Sequence, residues 1–272
     1  MRLREAVALG ALHGPAELLP ISSSGHVELV PWLGRWEYAQ LDGELRKAFE
    51  VALHAGTAAA LLIALRGEIA EVAAGMDRRR LGLIACAAAV PAAVGLAFER
   101  PIERRLGGPR SIAAGLALGS VAMLAADRRG GRVDGRERDE AGLADALALG
   151  VAQACALMPG VSRTGATVSA ARARGFRRRD ASALSRHVAL PVIAGATSLK
   201  AARLHRRGLP REHRAAFAAG TVAAFASTLV AARLVDDERP LWPLAAYRLG
   251  LAGTVLAVAR RRRRAATADP RT

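Results

Sequence analysis

The sequence predicts an all-α polytopic membrane protein with an internal repeat and two re-entrant stretches. Three observations carry this: six long apolar runs separated by arginine clusters, two apolar stretches broken by proline and Ser/Gly-rich turns, and a match between those two stretches at an offset of 140 residues.

The runs come first. The 272 residues are 52% hydrophobic and 4% aromatic, yet the formal charge is +16. Thirty-eight of the 40 basic residues are arginine; Lys47 and Lys200 are the exceptions. Such an Ala/Arg excess is a compositional bias, so single Ala and Arg positions carry little signal. Apolar runs occupy 48–65, 81–98, 111–126, 188–199, 215–232 and 240–259; Glu50 and Arg248 are the charges within them. A bilayer core of ~30 Å takes about 20 apolar residues per helix, with a lower range near 17. Several runs reach that length and others fall slightly short. Their small residues favour close helix packing in lipid. The apolar content excludes a disordered basic tail, and two cysteines, Cys86 and Cys155, exclude a disulfide scaffold.

The charge is read as positive-inside loops. No zinc spacing, aromatic RNA-binding box or basic helix with interleaved aromatics supports a nucleic-acid partner. Arg2 and Arg4 precede an apolar stretch, but His13, Glu17 and Pro20 interrupt it, so a cleavable signal is not expected. The tail from Arg260 to Arg264 reads as cytoplasmic. The loop 233–240, with Asp236, Asp237 and Glu238, then falls outside, and 200–214, with Lys200, Arg203, Arg206, Arg207, Arg211 and Arg214, inside. The segment 172–180 would fall outside although it carries five arginines. Either the count of crossings is off or the preceding segment does not cross fully. The expected organisation is one integral membrane domain over 1–272, with halves at roughly 5–126 and 142–259, a basic loop 127–141 and a basic tail 260–272.

The broken stretches are Gly10–His26 (GALHGPAELLPISSSGH) and Gly150–Thr167 (GVAQACALMPGVSRTGAT). Pro20 and Pro159 each break a helix. Gly25 and Gly165 permit positive φ or close approach to a ligand. At the 140-residue offset Gly10 falls on Gly150, His13 on Gln153, Ser22 on Ser162, Ser24 on Thr164 and Gly25 on Gly165. The prolines differ by 139, and Ala55-Gly56-Thr57 falls near Gly195-Ala196-Thr197. Paired interrupted segments point to a site of discontinuous helices at a repeat interface. Irregular backbone at membrane depth must be buried in protein or line water.

These stretches bring Glu17, Ser22, Ser23, Ser24 and His26 from one half, and Ser162, Arg163 and Thr164 from the other. If helices restart after the Ser/Gly turns, their N-termini offer N–H groups and a positive dipole end. Arg163 adds a planar fork suited to phosphate. The sum is an anion site, most simply for phosphate. His26 or a serine could serve as nucleophile, His26 as acid/base, and Glu17 as base or metal ligand. Blander roles exist for each: a cap for Ser22–Ser24, a packed imidazole for His26, a loop charge for Arg163. Glu17, inside an apolar helix, is the least easily explained away. Glu50 and His54 are read as an interfacial pair or as lining the same cavity. His187 is placed at the interface, and His205 and His213 are given no role.

AELLPISSSGH at 16–26 and ALMPGVSRTGAT at 156–167 resemble the two signature motifs of the undecaprenyl-diphosphatase family, the bacitracin-resistance type of membrane phosphatase. FEVALHAGT at 49–57 and ALPVIAGA at 189–196 resemble its flanking segments. The resemblance covers about residues 5 to 258. It implies hydrolysis of undecaprenyl diphosphate to undecaprenyl phosphate and inorganic phosphate, recycling the lipid carrier for cell-wall polymers. It also implies a plasma-membrane enzyme whose site opens to the outer face, an all-α fold with inverted repeats and two re-entrant helical hairpins, and a divalent cation, magnesium or calcium. By motif, Glu17 is the second acidic position, Ser23 the active-site serine, His26 the histidine after the turn and Arg163 the phosphate-binding arginine. Ser22, Ser24, Gly25, Ser162, Thr164 and Gly165 are expected to bind substrate.

Three positions depart from the pattern. His13 stands where the family usually has Glu or Gln, Ala16 follows Pro15 where Thr is common, and His54 stands where Gln is usual. His13 therefore replaces a carboxylate pair by an imidazole and a carboxylate, with Glu17 and His13 as the expected metal ligands. Expected partners are a polyprenyl diphosphate lipid, the bilayer and a second copy in a homodimer. The competing expectation is a carrier that flips polyprenyl phosphate without hydrolysis, since broken helices at mid-membrane are as typical of transporters.

Overall fold

In the computed structural model, residues 1–129, 135–207 and 210–268 are described. Part of the basic loop 127–141, the end of the tail 260–272, and the side chains of Ala196, Thr197, Lys200 and 203–207 lie outside the described residues. Among the described residues there are eleven α-helices and no strand. They are α1 (Leu3–Leu18), α2 (Ser23–Gly34), α3 (Gly43–Ala64), α4 (Arg66–Ala74), α5 (Arg78–Leu106), α6 (Pro109–Arg129), α7 (Leu143–Cys155), α8 (Arg163–Ala173), α9 (Arg178–Arg207), α10 (Arg214–Leu234) and α11 (Trp242–Ala268).

Five of the six apolar runs become helices long and apolar enough to cross a membrane: those in α3, α5, α6, α10 and α11. The sixth, 188–199, lies inside the 30-residue α9. At 1.5 Å per residue α9 is ~45 Å long, but its charged ends dilute the apolar signal. Its first half buries Ala181, Leu184, Val188 and Ala189. Much of the bundle's outer surface is apolar: Leu96 is 80% exposed and Val222 65%. A soluble bundle would hide such side chains; a lipid-embedded one presents them.

Each broken stretch folds as a helical hairpin. Pro20 lies in the turn between α1 and α2, and Pro159 in the turn between α7 and α8. Their open ends are tied. Glu5 accepts the backbone N–H groups of Glu37 and Tyr38, 3.3 and 3.1 Å away, which fixes the start of α1 beside the end of α2. At the other hairpin, Arg136 forks onto both oxygens of Asp145 at 3.0 and 2.9 Å, and Arg174 adds a bond of 2.7 Å. Burial works to raise the Asp145 carboxyl, but Arg136, the Gly142 N–H and Arg174 outweigh it and hold it below the usual carboxylate range. Arg136 N–H also donates to Gly175 O at 2.8 Å, where the chain turns with φ 87°.

The start of α7 and the end of α8 lie together, at the arginine-rich segment 172–180. Its charges are also matched: Arg174 with Asp145, Arg177 with Glu137 and Arg178 with Asp127.

The helix contacts recur in pattern along the chain. α1 lies on α10 as α7 lies on α5; α3 lies on α10 as α9 lies on α5; α6 and α11 pack together. The α1–α10 crossing is the tightest. A Cβ on Gly10 would stand 2.2 Å from Gly220 O, and one on Gly14 2.5 Å from Thr228 N. Small residues here replace the hydrophobic drive that lipid cannot supply.

Gly10→Ala is expected to lower the thermal midpoint of the detergent-solubilised protein, by an overpacking cost of about 1–3 kcal/mol. Gly253→Ala, with open space around its Cβ position, is expected to leave it unchanged. Equal midpoints would refute this packing.

Candidate active site

The closed ends of the two hairpins meet, because the backbone oxygens that Pro20 and Pro159 turns leave unpaired need donors. Arg248 of α11, fully buried, supplies them. Its Nη1 donates to Pro20 O at 2.8 Å; its Nη2 donates to Gly160 O at 3.2 Å and to Leu116 O of α6 at 3.3 Å. Gly160 adopts φ 91°, and a Cβ there would stand 2.1 Å from Ile112 O.

The Ser/Gly sequences are helix starts rather than the turns that precede them. Ser22 caps α2, its Oγ accepting Gly25 N–H at 3.3 Å; Ser162 caps α8, its Oγ accepting Gly165 N–H at 3.1 Å. Positive φ falls on Ser22 (79°) and Gly160, not on Gly25 or Gly165. Gly25 and Gly165 serve close approach within the protein. Their Cβ positions lie 3.5 Å from Gly160 Cα and 3.1 Å from Arg248 Nη1, respectively. A non-glycine residue at φ 79° carries strain of ~1–3 kcal/mol, held here by the packed turn.

Glu17, at the end of α1, joins the two hairpins. Its Oε1 accepts Arg163 Nη2 at 2.6 Å. Its Oε2 accepts Ser23 Oγ at 2.5 Å and lies 3.8 Å from His54 Nε2. Thr164 Oγ1 donates to the Glu17 carbonyl at 3.1 Å. Glu17, Ser23, Arg163 and Thr164 are thus brought together from positions 146 residues apart. Ser24 follows Ser23 in the first turn of α2, partly buried.

His26 is arranged differently. Its Nδ1 donates to Ser22 O at 2.7 Å, and its Nε2 faces Tyr247 Oη at 2.7 Å. Both nitrogens are engaged away from the Glu17–Arg163 pair. His13, one turn before Glu17 and fully buried, bonds Thr57 Oγ1 through Nδ1 at 2.9 Å and meets His54 through Nε2 at 3.3 Å. His13, Glu17 and His54 each offer one ligand atom, these atoms lying within 4.8 Å of one another.

A cavity of about 100 Å³ opens beside Glu17, Arg163 and Thr164, with Arg172, Arg178 and Arg186 in its wall. It adjoins a vestibule of about 820 Å³ that shares those three arginines. Arg178 is held by Asp127, and Arg186 by Glu68 and Asp237. Sequence reasoning missed these three arginines and the role of Arg248. Arginine bias hid the first group. Arg248 had a signal, being the lone charge in its apolar run.

The fold and site define a class: an all-α, multi-pass membrane protein whose two hairpin tips meet beside a cavity lined by arginines, hydroxyls and carboxylates. The family described as Bacitracin resistance protein BacA matches residues 6–254, and the chain belongs to that family. It is 38% identical to an undecaprenyl-diphosphatase of Geobacter sulfurreducens, over 94% of this chain and 98% of the relative. It is 38% identical to one of Geobacter metallireducens, over 91% and 94%, and 32% identical to one of Rubrobacter xylanophilus, over 95% and 98%.

Replacing Arg248 by Met is expected to lower the thermal midpoint strongly, since each buried carbonyl left without a donor costs about 1–3 kcal/mol. Arg248→Lys should fall between, because an ammonium cannot fork onto separate carbonyls in one plane. A Met variant that melts with wild type would remove the clamp.

Proposed function

We propose that this chain is a membrane phosphatase that hydrolyses undecaprenyl diphosphate to undecaprenyl phosphate and inorganic phosphate. The observation that carries the reading is the Ser23–Glu17–Arg163 arrangement, a hydroxyl and a guanidinium on the two oxygens of one carboxylate. The relatives named undecaprenyl-diphosphatase support the substrate.

The terminal phosphate enters the cavity and draws Arg163 onto its oxygens. Arg172, Arg178 and Arg186 line the way in. Glu17, freed from Arg163, is a stronger base toward Ser23. Ser23 Oγ attacks the terminal phosphorus and its proton passes to Glu17. The bond to the bridging oxygen breaks and undecaprenyl phosphate leaves. Water then attacks the phosphoserine, giving up a proton as Ser23 Oγ takes one back through Glu17, and inorganic phosphate departs. Guanidinium charge and positioning do most of the work in such a transfer. The engagement of both His26 nitrogens favours Ser23 as nucleophile and His26 as the group that orients the Ser22 turn. Ser22 and Ser162 hold the helix starts, Thr164 and Ser24 flank the phosphate, and Gly25 and Gly165 allow the tips to close.

We read the two hairpins as re-entrant and the halves as inverted repeats. The corresponding helix contacts and the matching caps at Ser22 and Ser162 support this. We also read the cavity as facing the outer side of the plasma membrane. Its mouth lies near Arg178 and Asp237, beside the start of α11, and the Arg260–Arg264 cluster lies at the other end of that helix. The magnesium or calcium that the family resemblance implies is poorly matched here. Those ions take oxygen ligands, whereas the group that Glu17 forms with His13 and His54 offers two imidazoles. Neither ion enters the steps above.

Arg163→Ala and Glu17→Ala are each expected to cut phosphate release from a C55 diphosphate in detergent by about 10²–10³-fold or more, with unfolding still cooperative. Retained activity would remove that residue from the site. Ser23→Ala should lose release to a similar extent; wild-type turnover would return the attack to water. A wild-type protein that binds the lipid and releases no phosphate would make it a carrier.

A further inference from the structure

We infer that His13, His54 and Glu17 form a binding site for a borderline divalent transition-metal ion of the zinc class, in place of a magnesium or calcium ion. The inference rests on the placing of Glu17 in the active site and concerns which metal that site selects.

Three observations carry it. The first is the donor set. Two imidazole nitrogens and one carboxylate oxygen lie within 4.8 Å of one another, on α1 and α3. Imidazole suits zinc, cobalt, nickel and iron; magnesium and calcium take carboxylate, carbonyl and water.

The second is the orientation of each ring. His54 Nδ1 is 2.9 Å from Glu50 O, a carbonyl that can only accept, so Nδ1 carries the proton. The lone pair of the neutral ring is then on Nε2, which faces Glu17 Oε2 at 3.8 Å. His13 commits Nδ1 to Thr57 Oγ1, itself held by Thr228 Oγ1 at 3.2 Å from α10. Its Nε2 lies 3.3 Å from His54 Nδ1, the protonated nitrogen, and an ion would take that lone pair in its place. Metal-binding histidines characteristically give their other nitrogen to an oxygen partner, which fixes ring and tautomer.

The third is the gap itself. With the ring neutral, a lone-pair nitrogen and a carboxylate oxygen facing each other at 3.8 Å repel unless a proton or a metal ion lies between them. The separation suits two ligands on one ion, since zinc binds such atoms at about 2.0–2.2 Å. Arg163 occupies Oε1, the other carboxylate oxygen, and Ser23 shares Oε2, so the carboxylate's contribution is a single oxygen. Three protein ligands leave the remaining positions open, the pattern of a catalytic rather than a structural zinc site.

The test uses the untagged, full-length protein in detergent, stripped with chelator, with Cys86→Ser and Cys155→Ser to remove competing thiols. Co²⁺ is titrated and followed by its visible absorption, then displaced with Zn²⁺, Mg²⁺ or Ca²⁺. One equivalent of Co²⁺ is expected to bind with the strong absorption of a low-coordinate nitrogen–oxygen site. Zn²⁺ should displace it stoichiometrically, and Mg²⁺ or Ca²⁺ should fail at about a thousandfold excess, given the imidazole donors. His54→Gln, at a part-exposed position, should fold and weaken Zn²⁺ binding by at least about tenfold, as loss of a ligand costs no less than loss of its supporting partner. Displacement by equimolar Mg²⁺, or undiminished Zn²⁺ binding in His54→Gln, would overturn the inference. The titration needs no lipid. Protein that binds Zn²⁺ through His54 but releases no phosphate from the C55 diphosphate would sink the phosphatase reading and leave the metal site standing.

Discussion

The structure depends on one buried carboxylate. Glu17 sits at the end of α1, where the chain breaks at Pro20, and it receives Arg163 from the opposite hairpin and Ser23 from its own. An ion pair in a low-dielectric interior does not repay its desolvation unless its remaining valences are filled. Here Ser23 and His54 crowd one oxygen and Arg163 the other. Beneath the pair, Arg248 binds the backbone of both turns. One cation thus holds the two breaks together through their carbonyls, and the other through a side chain. The tips of two hairpins that are far apart in sequence become a single object.

The same economy explains a chain of charge +16. Around the α7–α8 hairpin, Asp127, Glu137 and Asp145 take Arg178, Arg177, Arg136 and Arg174. Arg186 bridges Glu68 of α4 to Asp237 before α11. Arginine at that end of the bundle is therefore structural first. The paired Arg178 and Arg186, with Arg172, also line the cavity. The cluster at Arg260–Arg264 stands at the other end, where Arg262 stacks on Trp32 with its carbon 4.2 Å from the ring centre.

Much of this was legible. Apolar runs marked the helices because a bilayer imposes length and polarity together. Proline marked the hairpin turns because it removes a donor and clashes with the preceding turn. The 140-residue offset placed Ser22 opposite Ser162, and both cap helices in the same manner. The glycines after them left two roles open, positive φ or close approach; Gly25 and Gly165 lie within helices and serve close approach, and Ser22 takes the positive φ. Composition cannot separate a glycine needed for its dihedral from one needed for its size. The short run 188–199 was likewise only the middle of a helix whose charged first turns are anchored by Glu68, Asp127 and Asp237.

By itself the sequence determined the helices, the two breaks and the chemical types at each break, because those follow from local sterics and from the cost of polar groups in lipid. Only the tertiary structure decided which of 38 arginines meets Glu17, which closes the turns and which lines the cavity. It also brought His54 to His13 across 41 residues. The worth of a charge or an imidazole is set by its distance to a partner and by the water it loses. Both are properties of chain segments brought together from afar, and neither is written in the order of residues along any one of them.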